Sequence, residues 1–151
     1  MKTLLLIYHS QSGNTAKLAR AVIEGVKKVD GVCLSVLPAF EASTKDLVAA
    51  DGVLFGSPEN LGYMSGALKD FFDRTFYPSQ PYELNLPYAL FISAGNDGSG
   101  AVREVDRILK GYPLKKATEA IIVKGEVREE DLASCRSLGE AFASGLVMGI
   151  F

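Results

Sequence analysis

The stretch Leu4–Val26, LLLIYHSQSGNTAKLARAVIEGV, decides the fold. Leu4, Leu5, Leu6 and Ile7 form an unbroken apolar run rather than an alternating one, the pattern of a parallel strand covered on both faces. From Leu18 onward, Leu18, Ala19, Val22, Ile23 and Val26 recur at helical spacing, with Lys17, Arg20, Glu24, Lys27 and Lys28 on the opposite side. Between strand and helix lies Tyr8–Thr15 (YHSQSGNT), made almost entirely of small hydrogen-bonding residues. At a helix N-terminus such a loop gathers unpaired backbone N–H groups and the positive dipole end at one point. It reads as an anion cradle that needs no lysine or arginine.

The same alternation continues outward. Val32–Leu37 reads as a second strand, and Ser43 or Thr44 caps a short helix through Lys45–Ala50. Val53–Phe55, closed by Gly56, is a third strand, and the loop SPENLGYMS (Ser57–Ser65) opens a helix bearing Ala67, Leu68, Phe71 and Phe72 that ends near Phe76. The proline-rich YPSQPYELNLP that follows reads as a surface connection. Tyr88–Ser93 is a fourth strand, and AGNDGSG (Ala94–Gly100) leads into a helix with Val102, Val105, Ile108 and Leu109 that stops at Gly111. Ala120–Val123 is the fifth strand, and Leu132, Cys135, Leu138, Phe142 and Leu146 mark a final helix. Strands alternating with helices predict one doubly wound α/β domain over residues 1–151, with ligands at the carboxyl edge of the sheet. The loops after the first, third and fourth strands, all rich in Gly, Ser and Asn, then meet in one site.

Composition narrows the possibilities. The chain is 48% hydrophobic and 23% charged, as in an ordinary globular domain. Sixteen basic against eighteen acidic residues, net −2 with no basic tract, argue against nucleic acid and anionic membranes as partners. Cys33 and Cys135 match no metal or redox spacing and read as buried free thiols in a reducing, cytoplasmic setting. MKTLLLIYHS lacks a small-residue cleavage site and is far shorter than the roughly 18 apolar residues of a membrane helix. It reads as the first strand.

Several phosphate sites fail against the first loop. GxxxxGK[ST] is absent, since Asn14 follows Gly13, and GxGxxG does not follow the first strand. A phosphatase loop needs a cysteine and an arginine, and a response regulator needs acidic strand ends; here the strands end in His9-Ser10 and Gly56-Ser57. YHSQSGNT together with GSPENLGYMSGALKDFFDRT (Gly56–Thr75) resembles the flavodoxin-like FMN-binding family, in particular its NAD(P)H:quinone and FMN reductase branch related to the tryptophan-repressor-binding proteins. The shared patterns are [ST]x[ST]GNT and G[ST]P…G.MSG.LK.F.DRT.

The resemblance implies a five-stranded parallel sheet of order 2-1-3-4-5. It also implies that Ser10, Gln11, Ser12, Gly13, Asn14 and Thr15 hold the FMN phosphate. Pro58, Glu59, Asn60, Leu61, Gly62 and Tyr63 would lie along the isoalloxazine ring, with Ser57 also among the cofactor-binding residues, and Ser93, Ala94, Gly95, Asn96 and Gly98 would line its other edge and the ribityl chain. Leu61 departs from the aromatic residue common in such reductases, and the chain has no tryptophan, so Tyr63 is the remaining stacking candidate. The implied activity is hydride transfer from NAD(P)H to FMN and reduction of a quinone or another small acceptor, with no protein acid, base or metal. The alternatives are an electron-carrying flavodoxin serving redox-protein partners and a non-catalytic FMN-binding module; the charge of −2 is modest for such a carrier. His9 is expected to pack, Asp73 and Arg74 to fix local structure, and Met64 and Phe72 to be core. Phe76, Tyr77, Pro78, Tyr82, Leu84 and Leu86 suggest either an acceptor wall or, with the family, a homodimer interface.

Overall fold

Alternation along β1 (Lys2–Tyr8) sends Leu4 and Leu6 to one face of the sheet and Leu5 and Ile7 to the other, and all four are buried. In the computed structural model, which describes residues 1–151, β1 is followed by α1 (Asn14–Val26), β2 (Val32–Pro38), α2 (Thr44–Ala49), β3 (Gly52–Pro58) and α3 (Gly66–Ser79). A 3₁₀ turn (Gln80–Tyr82), β4 (Pro87–Ala94), α4 (Ser99–Leu109), β5 (Lys115–Lys116), β6 (Ile121–Lys124) and α5 (Glu129–Met148) complete the chain. Every strand pair is parallel, in the order β2-β1-β3-β4-β5, with β6 also on β4.

The fifth position of the expected sheet is therefore filled by two segments along one edge of β4. Lys115 and Lys116 pair with Pro87 and Tyr88, and Ile121–Lys124 pair with Phe91–Ala94. Two lysines carry no hydrophobic signal for a strand; what anchors them is Asp106, whose carboxylate accepts from the Tyr88 hydroxyl at 2.7 Å and from Lys116 Nζ at 2.8 Å. α3 also runs past its expected end near Phe76, through Pro78 to Ser79. A proline in the last turn removes only one donor, and Ser79 Oγ and Gln80 Nε2 both bond the Phe76 carbonyl there, at 2.9 and 3.2 Å.

α2, α3 and α4 cover one face of the sheet, packing Leu47, Leu68, Phe71, Phe72, Val105 and Leu109 on Phe55, Leu90 and Ile92. α1 and α5 cover the other, packing Leu18, Val22, Cys135 and Phe142 on Leu54 and Phe91. Met64 and Phe72 are core, as expected. Arg74 bonds Asp70 at 2.7 Å and the carbonyls of Ala42 and Ala39 at 2.9 Å, tying α3 to the end of β2. No helix is long and apolar enough to cross a membrane.

The cysteines differ. Cys135 is buried, and burial pushes its thiol up to about 11. Cys33 is exposed, contrary to expectation, because β2 is an edge strand and its outward-facing residues meet solvent. Titration with a disulfide reagent at neutral pH should find one fast thiol in the folded chain and a second only after denaturation; Cys33→Ser should abolish the fast one. α1 and α5 pack through Gly25 and Gly139, where a Cβ would overlap the carbonyl oxygens of Arg136 and Val22. Gly139→Ala should lower stability by about 1–3 kcal/mol through this overlap, read by urea denaturation.

Candidate functional site

The loop after β1 is pinned at its base by the His9 N–H, which donates to the Gly56 carbonyl at 3.1 Å, while the His9 ring meets Phe40 edge-on at 6.0 Å. Gly13, at φ 106°, makes the left-handed turn into α1. The Ser10 hydroxyl accepts from the Ala16 N–H at 3.1 Å. The backbone N–H groups of Gln11, Ser12, Gly13 and Asn14 make no hydrogen bond within the chain. They lie at the positive end of a 13-residue helix, so this loop has the donors an anion requires. The Thr15 hydroxyl is buried and shares a 2.7 Å hydrogen bond with Ser93 Oγ, joining α1 to the end of β4.

The second loop is built from inside. Ser57 is fully buried; its hydroxyl donates to the Pro58 carbonyl at 2.8 Å and accepts from the Ser65 N–H at 3.0 Å. Its side chain thus shapes the loop from within. Asn60 and Tyr63 exchange backbone hydrogen bonds of 2.8 and 3.0 Å around Leu61 (φ 54°) and Gly62 (φ 76°), a tight turn with both central residues left-handed. Leu61 stands fully exposed at its tip. Tyr63, the remaining candidate for stacking, packs against the α3–α4 core and lines a groove with Phe72, Phe76 and Ile108, where its ring buries apolar surface.

Two contacts draw the three loops together. Asn60 Nδ2 donates to Gln11 Oε1 at 2.8 Å. Glu59, expected along the ring, directs its carboxylate into the third loop: Oε1 accepts from the Gly98 N–H at 2.9 Å, and Oε2 from the Gly100 and Ala101 N–H groups at 3.0 and 3.2 Å. In that loop Asp97 accepts from the hydroxyl and N–H of Ser99, and these bonds hold its carboxyl below the usual range.

The result is a pair of adjoining clefts. One, of about 300 Å³, is lined by Gln11, Ser12, Asn14, Pro58, Asn60, Ser93, Ala94 and Gly95. The other, of about 400 Å³, is lined by Leu61, Gly62, Gly95, Asn96, Asp97, Ser99 and Arg103. Glu59 and Gly95 border both. A Cβ at Gly62 or Gly95 would meet nothing within 4 Å, so the walls there are bare backbone open to a flat group. Gly98 turns into α4 at φ 90° beneath the Glu59 carboxylate, with Ile122 filling the space where a Cβ would stand. Arg103 and Gly125 line the clefts without having been expected there. Their signals were positional: Gly125 follows the last strand at the carboxyl edge, and Arg103 lies one turn into the helix that the third loop opens.

A family model described as NADPH-dependent FMN reductase matches residues 32–112. The chain is 31% identical to a flavodoxin of Aquifex aeolicus, over 95% of its own length and 86% of the relative's. It is 33% identical to an NAD(P)H dehydrogenase (quinone) of Acidithiobacillus ferrooxidans over 50% of this chain and 48% of that one. The crystal structure of a WrbA-like flavodoxin from Agrobacterium tumefaciens matches with a TM-score of 0.79 at 20% identity, covering 98% of this chain and 99% of that one.

The buried Thr15–Ser93 hydroxyl pair can be tested on its own. Thr15→Val or Ser93→Ala should each cost about 1–3 kcal/mol by leaving a buried hydroxyl unpaired, whereas the double variant should lose less than the sum of the two, read by urea denaturation.

Proposed function

The chain belongs to the flavodoxin-like FMN-binding family, and from that premise we propose that it is an FMN-dependent oxidoreductase carrying electrons from NADH or NADPH to a quinone or another small acceptor. The observation that carries this reading is the meeting of unpaired N–H groups at Gln11–Asn14 with a cleft walled by Pro58, Asn60, Ala94 and Gly95. The donors suit a phosphate, and the bare walls suit a flat ring beside it.

In this proposal Gln11, Ser12, Gly13 and Asn14 hold the phosphate through backbone N–H groups, with the Ser10 and Ser12 hydroxyls beside them. Thr15 acts from behind, through its bond to Ser93, by fixing the start of α1 against β4. Pro58, Glu59, Asn60, Leu61 and Gly62 form one wall and Ala94, Gly95, Asn96 and Gly98 the other, orienting the ring and excluding water from its flanks. Bound FMN supplies the hydride and electron chemistry, so the protein needs no acid, base or nucleophile of its own. Arg103, which lines the second cleft, pairs through Nε with Glu104 at 3.2 Å and leaves its two exposed NH₂ groups for the phosphates of a nicotinamide dinucleotide.

A second reading, an electron carrier between redox proteins, is favoured by the flavodoxin relative, whose likeness spans nearly the whole chain where that of the quinone dehydrogenase spans half. A homodimer would use the last turn of α3 and the connection after it, where Tyr77 and Tyr82 are exposed. A cytoplasmic location belongs to the same proposal.

Turnover separates the readings. Purified yellow protein should oxidise NADH or NADPH faster than free FMN when a quinone is supplied; a rate no higher than that of free FMN removes the enzyme and leaves the carrier. Ser12→Glu sets a carboxylate against the unpaired N–H groups and should abolish FMN uptake while circular dichroism and melting temperature stay near wild type. Undiminished colour in that variant would place the phosphate elsewhere.

A further inference from the structure

Resting on the FMN site proposed above, we infer that Glu59 is a positioning residue: its carboxylate latches the Asn60–Tyr63 turn onto the N-terminus of α4 and so sets the spacing of the two walls that receive the flavin ring. A glutamate in a polar loop ordinarily keeps its charge in water. Here both oxygens are engaged, with three backbone donors from Gly98, Gly100 and Ala101 at 2.9 to 3.2 Å. Bonds from several N–H groups to one carboxylate at a helix N-terminus are charge-assisted and aligned with the helix dipole.

Two further contacts make the latch specific to the cleft. The Glu59 N–H donates to the Ser93 carbonyl at 2.8 Å, so the same residue grips β4 through its backbone and α4 through its side chain. A Cβ on Gly100 would overlap the Gly62 carbonyl, so the turn rests directly on the helix backbone. Leu61, non-glycine at φ 54°, is held in a left-handed conformation by this two-sided anchorage. Because Glu59 borders both clefts, a shift of its side chain changes both at once. Aspartate would fall a methylene short of α4, and glutamine would set an amide NH₂ against N–H donors.

The test uses full-length wild type, E59Q and E59A. Without FMN, hydrogen exchange at the Gly98, Gly100 and Ala101 amides should be slow in wild type and roughly tenfold or more faster in E59A, as expected for losing a charge-assisted acceptor. FMN binding, followed by quenching of its fluorescence, should weaken roughly tenfold or more in E59A and recover in part in E59Q, which keeps one acceptor oxygen. In E59Q the midpoint potential of the bound flavin should rise, because a fixed negative charge beside the cleft is gone. If loss of the cap unfolds E59A, E59Q, of nearly equal volume, carries the same three measurements.

Fast exchange of the three amides in E59A combined with wild-type FMN affinity and potential in both variants would overturn the inference and leave Glu59 a helix cap only. Equally fast exchange in wild type would overturn it by showing that no latch forms. Slow exchange in a wild type that takes up no FMN would instead sink the flavin assignment, and the positioning role with it, while the latch itself stood.

Discussion

Burial of a parallel sheet on both faces is the constraint on which everything else in this chain depends. A strand such as Leu4–Ile7, apolar on both sides, is stable only beneath two layers of helix, and parallel pairing obliges each crossover to return to the same edge. Every strand therefore delivers its following loop to the carboxyl edge. Ser10–Thr15, Ser57–Tyr63 and Ser93–Gly98, far apart in sequence, become neighbours as a consequence of packing, before any ligand enters the account. The contacts between them, Asn60 to Gln11, Glu59 to α4 and Thr15 to Ser93, refine a proximity that the hydrophobic layers have already enforced.

What was legible in the sequence follows the same physics. Periodicity reports burial, so the apolar runs and amphipathic helices announced the α/β class, the element order and the core positions of Met64 and Phe72. Signals that are not hydrophobic were silent. Lys115–Lys116 joins the sheet edge because Asp106 lies opposite, a partner no local window contains. Pro78 reads as a helix breaker, yet side chains from the next two residues satisfy the carbonyl near it. Cys33 reads as a small hydrophobe, but edge strands have an outer face.

At the site, the sequence identified which loops would meet but carried no signal for the partners that several side chains find there. Ser57 and Glu59 carry polar groups that suggest a ligand from composition alone. In the fold, backbone donors and acceptors close at hand claim them first: the Pro58 carbonyl and Ser65 N–H for Ser57, and three N–H groups of α4 for Glu59. Tyr63 remained the stacking candidate because Leu61 is not aromatic and the chain has no tryptophan, and the groove beside Phe72 and Phe76 offers its ring apolar burial. For Ser57 those partners are near in sequence, whereas for Glu59, and for the α4 side of the Tyr63 groove, they come from segments about 40 residues on, out of reach of any local window.

That competition also selects where an anion can bind. Helices begin at the carboxyl edge throughout this fold, so several positive dipole ends crowd one region. α2 carries a carboxylate at its start, Asp46 bonded to Ser43, and α5 another, Asp131 bonded to the Arg128 N–H. α3 is capped by the Ser65 hydroxyl, and α4 meets both Glu59 and Asp97. α1 begins at Gly13 with no acidic residue in its first turn and, unlike α4, no carboxylate brought to it from another loop; a single Ser10 hydroxyl bond reaches it, and the N–H groups of Gln11, Ser12, Gly13 and Asn14 stay unpaired. Carboxylates meet α2, α4 and α5 and a hydroxyl caps α3, so α1 is the helix start left open for the proposed phosphate, and Glu59, which occupies the nearest competitor, lies in the wall beside it.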